Sequence, residues 1–186
     1  MYIFLTYSVL NLRVIVFILL SNLIFTQTKN SIKNILIDKE YDSESFFVGA
    51  TIGHGELLRP NITQLFLNEF TYLTPANSFK QTAIHPRPGV WNWKKYDDFI
   101  DFAEKNNLIL RVHGPVSPQA SKWAKNDSRT KEELLKNMEE FFTELCIRLN
   151  DEKTVKWMDV VNETVLRNGE WFKEKPGDSS LSLIHI

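Results

Sequence analysis

Trp157-Met158-Asp159-Val160-Val161-Asn162-Glu163-Thr164 is the stretch on which the reading of this chain turns. It is apolar and β-branched, interrupted only by Asp159, and it stops abruptly on an amide and a carboxylate. That pattern predicts a buried strand delivering Asn162 and Glu163 to its carboxyl end. In α/β proteins those ends are where ligand sites are assembled. Glu163 is therefore the first candidate catalytic residue. A lone Glu that merely caps or solvates a strand end is the commoner case, so the surrounding sequence has to decide.

Working outward, the spacing predicts alternating strands and helices. Ser45–Ala50 reads as a first strand, ending in the loop Ile52-Gly53-His54-Gly55. Pro60 opens a helix with Ile62, Leu65, Phe66 and Phe70 on one face. Phe70–Thr74 is a second strand, broken by Pro75. Asn92 is placed to cap a helix whose apolar positions Tyr96, Phe99, Ile100 and Ala103 keep helical spacing, and Asn106-Asn107 ends it. Leu108–Val112 is a third strand running into His113-Gly114-Pro115. Thr130 and Glu133 form a capping box before the stripe Leu134, Met138, Phe141, Phe142, Leu145 and Leu149. Val155–Val161 is the fourth strand.

Strand-helix alternation from residue 45 to 163 argues for parallel strands with right-handed crossovers. Gly49, Gly53 and Gly55 do not fit a dinucleotide fingerprint, and no Gly-Lys-Ser/Thr occurs. Polar residues gather instead after successive strands: Asn77 and Lys80, then His113, then Asn162 and Glu163. Functional residues drawn from several strand ends are the habit of a (β/α)8, or TIM, barrel. A closed barrel takes about 250 residues, so these 186 residues are expected to stop after about the fourth strand.

The formal net charge of −1, with 22 basic and 23 acidic residues, gives no electrostatic footprint for nucleic acid. The single Cys146 excludes an internal disulfide and is expected to be a small core residue on a helix face. The four histidines show no paired ligand spacing, so no metal site is expected. Residues 1–29 contain the apolar run Val14–Phe25 after a lone Arg13, which suits a signal peptide better than an uncleaved membrane anchor. Contact with a membrane is expected only if that segment stays uncleaved. Sequons occur at Asn61, Asn126 and Asn162; a glycan on the last would fall on the candidate site.

Five segments, in order, resemble glycoside hydrolase family 10, the endo-1,4-β-xylanase family of retaining barrel enzymes. Pro75-Ala76-Asn77-Ser78-Phe79-Lys80 resembles its second-strand motif. His85-Pro86-Arg87-Pro88-Gly89-Val90-Trp91-Asn92-Trp93 resembles the stretch before its second helix. Arg111-Val112-His113 resembles a strand end, Gln119 and Trp123 keep the family's spacing, and Asp159–Glu163 resembles the acid/base motif, with Met158 where Trp is usual. The likeness covers roughly residues 46–178, within a partial barrel taken as 30–180.

The resemblance implies an enzyme that cleaves internal β-1,4-xylosidic bonds without a cofactor and is monomeric at full length; the amino-terminal segment makes it secreted, periplasmic or cell-surface by expectation. It implies Glu163 as general acid/base, which must start protonated through burial or a neighbouring carboxylate. Asn162 would donate to the hydroxyl beside the reacting carbon. Asn77 and Lys80 would hold the non-reducing side of the sugar chain, His113 a hydroxyl at the scission point, and Gln119 would complete the substrate contacts. Without the family pattern, a turn-capping Asn, a surface Lys and a satisfied structural His are the alternatives. Trp91 and Trp93 are expected to be loop or core anchors, and Trp123 is open to either role.

Two departures bear on substrate. Ala76 stands where the family has an acid that accepts from a sugar hydroxyl. Gly114-Pro115-Val116-Ser117-Pro118 is one residue short and lacks the family's Trp-His pair. Another β-glycan, or a non-catalytic carbohydrate-binding relative, therefore stays open. The nucleophilic Glu is expected after the seventh strand, outside this sequence. Residues 181–186 (Leu-Ser-Leu-Ile-His-Ile) resemble a translated transposase adapter and are expected to be a non-native tail, the alternative being six ordinary residues of the chain.

Overall fold

The computed structural model describes residues 31–38, 46–117, 130–163, 165 and 167–170. Its helices are α1 (Ile32–Asp38), α2 (His54–Leu57), α3 (Pro60–Glu69), α4 (Gln81–Ile84), α5 (Lys94–Lys105) and α6 (Lys131–Leu149). They are interleaved with strands β1 (Gly49–Ile52), β2 (Tyr72–Pro75), β3 (Ile109–Val116) and β4 (Val155–Val161). All neighbouring strands pair in parallel, in the order β1-β2-β3-β4. A doubly wound sheet reverses its order at a switch point, whereas a barrel adds each strand beside the last. The described residues are thus three consecutive βα units and a fourth strand, of the barrel type.

Alternation puts Ile52, Leu73, Leu110 and Val112 on one sheet face, buried against Phe66, Phe99, Phe141 and Leu145 of the helices. Each large side chain fully buried in this way contributes about 1.5–3 kcal/mol. The opposite face carries Arg111, His113, Trp157 and Asp159. Tyr96, Phe99, Ile100 and Ala103 of α5 are all buried, as their spacing predicts. The capping box of α6 forms: Thr130 Oγ1 accepts from the Glu133 N–H, and the Glu133 carboxylate accepts from the Thr130 N–H.

Several boundaries move. β1 lies at Gly49–Ile52 rather than Ser45–Ala50, because β2 supplies partners only from Tyr72, opposite Gly49. Gly49 is required there: a Cβ would stand 2.1 Å from the Tyr72 carbonyl oxygen. β2 runs through Pro75 instead of stopping before it. Its pairing with β3 ends at Leu73↔Leu110, so no neighbour needs an N–H from Pro75. β3 continues through Gly114-Pro115 as an irregularity and pairs again at Val116↔Val161. The α5 cap is Trp93, without a side-chain bond, rather than Asn92. Helix α1 was not anticipated; Ser31 Oγ accepts from the Asn34 N–H at its start.

Three burial expectations are corrected. Leu65 is 59% exposed, one residue round the helix from buried Phe66. Cys146 is exposed, one position on from buried Leu145. β4 is not a buried strand: it lies at the end of the sheet order, and Trp157, Val160 and Val161 are 43%, 50% and 42% exposed.

Candidate active site

Because the strands are parallel, their carboxyl ends share one rim. Gly53 and His54 follow β1 there, Asn77 and Lys80 follow β2, His113 approaches the end of β3, and Asn162 and Glu163 follow β4. The Asn162 N–H donates to the Val116 carbonyl at 3.0 Å, tying the end of β4 to β3. Glu163 then takes φ +59°, a left-handed conformation that costs a non-glycine residue roughly 1–2 kcal/mol. Regular extended backbone would send adjacent residues to opposite faces. The left-handed residue breaks that alternation at the amide-carboxylate pair. The Glu163 side chain is exposed among the described residues, so of the two expected routes to a protonated acid, burial or a neighbouring carboxylate, burial is not met there.

Gly114 explains how Asn162 and Lys80 come together. It has φ +57°, and a Cβ there would lie 3.1 Å from Asn162 Cβ and 3.5 Å from Lys80 Cε. The absent side chain is the space across which the two approach. Lys80 is only 4% exposed, so it is not a surface lysine.

Asp159 organises the neighbouring face. Its carboxylate accepts one hydrogen bond from the Arg111 guanidinium and another from His113 Nδ1, at 2.9 Å. A carboxylate only accepts, so His113 Nδ1 carries the proton and Nε2 is left for a ligand. Burial pushes the Asp159 carboxyl upward, but the bonds from Arg111 and His113 together outweigh it and hold it below the usual carboxylate value. Sequence reasoning assigned Asp159 no role. The usable signal was the period-2 pair Arg111 and His113 on one strand face, which needs a carboxylate on the adjacent strand.

Asn77 is exposed and lines an open depression between the ends of β1 and β2, together with His54 and Ala76. Trp91 and Trp93 are anchors, as expected. Trp91 stacks on His85 at 4.0 Å, and Trp93 lies 4.4 Å beneath the Arg148 guanidinium of α6. Gln119 and Trp123 lie outside the described residues, as do the proposed signal segment and the 181–186 tail. Among the described residues, no three His, Cys, Asp or Glu side chains cluster as a metal would require. Lys80, His113, Asn162 and Glu163 are thus assembled from three strand ends, with Asn77 beside them.

The sequence profile of Glycosyl hydrolase family 10 matches residues 37–182. The chain belongs to glycosyl hydrolase family 10. A β-1,4-xylanase of Dictyoglomus thermophilum is 32% identical over 140 residues, covering 74% of this chain and 38% of that protein. Endo-1,4-β-xylanase A of Halalkalibacterium halodurans is 30% identical over 151 residues, covering 70% and 37%. Xylanase 10B of Thermotoga petrophila, solved with xylobiose, superposes with a TM-score of 0.67 at 26% identity, over 81% of this chain and 44% of that one. This member of family 10 spans well under half the length of the curated relatives it matches. Its four strands and the helices between them are part of the family's TIM barrel.

Proposed function

We propose that the protein carrying this chain is a retaining endo-acting glycoside hydrolase cutting internal β-1,4-xylosidic bonds, with Glu163 as general acid/base. The observation that carries the reading is the left-handed Glu163 beside Asn162 at the end of β4, on the rim shared with His113 and Lys80. Family membership and the xylanase relatives support the same chemistry.

In the first step Glu163 gives its proton to the departing glycosidic oxygen while a second carboxylate, roughly 5–5.5 Å away, attacks the sugar carbon. That nucleophile is expected beyond the four strands described here. Glu163, now a carboxylate, next takes a proton from water, and the water oxygen displaces the enzyme carboxylate. Asn162 donates to the hydroxyl beside the reacting carbon, a bond that strengthens as charge develops. His113, fixed through Nδ1 by Asp159, offers Nε2 to a hydroxyl. Asn77, Lys80 and Gln119 hold the sugar chain. The protein acts as an exported monomer on a polysaccharide, with residues 1–29 as its signal segment.

Following the anomeric form of the first products of linear xylan by NMR tests this reading. Retention of the β-configuration and short oligosaccharide products are expected. Inversion, or no cleavage, contradicts it. Ala76 favours a second reading, the same chemistry on another β-glycan; faster turnover of that glycan than of linear xylan would decide for it.

A further inference from the structure

Of the three Asn-x-Ser/Thr sequons, Asn126 lies outside the described residues, and the other two stand in opposite surroundings. Asn162 is half-buried: its N–H donates to the Val116 carbonyl, and its Cβ lies 3.1 Å from where a side chain at Gly114 would begin. Asn61 is exposed, in the first turn of α3, directly after Pro60. Among the described residues its side chain makes no hydrogen bond, so nothing in the fold occupies its amide. Thr63, which completes that sequon, donates through Oγ1 to the Pro60 carbonyl at 3.2 Å, within the same helical turn.

Leu65 stands one turn further along α3. It is 59% exposed although Phe66 beside it is buried in the core. Residues four apart lie one above the other on a helix, so Leu65 shares the face of Asn61. An apolar side chain in that position is placed to be covered by whatever Asn61 carries. The N-acetylhexosamine that begins an N-linked chain has an apolar ring face and an acetyl methyl group to offer it, and burying apolar surface against them is favourable.

We propose that Asn61 is an N-glycosylation site and that the first sugar of its glycan lies over Leu65. The proposal rests on the reading of residues 1–29 as an export signal. The donor is an oligosaccharide carried on a lipid diphosphate, met by the chain during export. The Asn61 amide nitrogen attacks C1 of the first sugar. The N–C1 bond forms, the C1–O bond to the diphosphate breaks, the lipid diphosphate leaves, and the amide gives up one proton; nothing is oxidised or reduced. Folding of α3 then leaves the sugar on an exposed helix face and on none of the residues proposed to hold substrate.

The test uses the complete protein carrying this chain, secreted from yeast with its own leader. Glycans are released by a peptide amidase in heavy-oxygen water, which turns each linked Asn into a labelled aspartate that mass spectrometry locates. Position 61 is expected to carry the label; an unlabelled Asn61 in the secreted protein overturns the proposal. Thermal melts then compare wild type with Asn61→Gln, both trimmed by the same endoglycosidase to the first sugar of each chain. Wild type is expected to melt about 2 °C higher, the scale of a small stability change in a domain of this size. Leu65→Ser should erase that difference. Equal midpoints, or a difference that survives Leu65→Ser, overturn the place of the sugar over Leu65. A label at position 162 in protein that cleaves xylan contradicts the rim reading and leaves Asn61 untouched. Retention of the protein inside the cell overturns the export reading, and the acceptor role with it.

Discussion

His113 and Asp159 are register partners across β3 and β4, and the Asp159 carboxylate holds the His113 Nδ1–H at 2.9 Å. The strand pairing that builds the sheet also fixes the ring orientation and tautomer of a residue on the candidate site. Arg111, two residues back on the same face, neutralises the same carboxylate.

Replacing Asp159 by Asn should therefore weaken both stability and sugar binding. The sign of the pH dependence follows from the lowered Asp159 carboxyl. Its contribution is present above the ordinary value of 3.8 and is lost as pH falls through the lower folded value. Arg111 is partly exposed, so the loss at pH 7 should be modest, about 1 kcal/mol. Urea unfolding at pH 7 and pH 3 checks this: the gap between wild type and Asp159→Asn should narrow at pH 3. A gap that widens in acid contradicts it.

Gly114→Ala places a methyl group against Asn162 Cβ in a left-handed backbone. The expected cost is about 1–3 kcal/mol from strain and crowding together. The urea midpoint should fall with an unchanged slope, and binding of a neutral oligosaccharide should weaken because Asn162 is displaced. An unchanged midpoint would show that the contact is not tight.

Glu163 presents the opposite case. Its φ of +59° favours glycine, so Glu163→Gly should raise stability by up to about 1 kcal/mol while removing the carboxylate. Glu163→Ala keeps the strain and should not. Thermal melts of both variants make the comparison, and equal midpoints argue against strain at this position.

Much of this arrangement is legible in the sequence because its signals are local. The Thr130-Glu133 box and the Tyr96-Phe99-Ile100-Ala103 spacing concern residues within one or two helical turns. The span of β4 is set by its own run of apolar residues. What failed depended on partners distant in sequence. β1 starts where Tyr72 offers pairing, which nothing near Ser45 encodes. Pro75 stays in its strand because β3 has already turned away, and Gly114-Pro115 bends β3 without ending it. For the site, the positions of Asn77, Lys80, His113, Asn162 and Glu163 at strand ends were readable from periodicity. The burial of Lys80 and the hold of Asp159 on His113 were not, since each requires the register between strands.

The central claim is that Glu163 is the proton donor, and substituting Gln in the complete enzyme tests it most directly. General acid catalysis typically contributes about 100- to 10,000-fold. With Glu163→Gln, cleavage of xylan, whose leaving group needs a proton, should fall by that order. Activated aryl glycosides, whose leaving groups depart without one, should lose far less. Equal losses on both substrates would contradict the role of Glu163 as the acid.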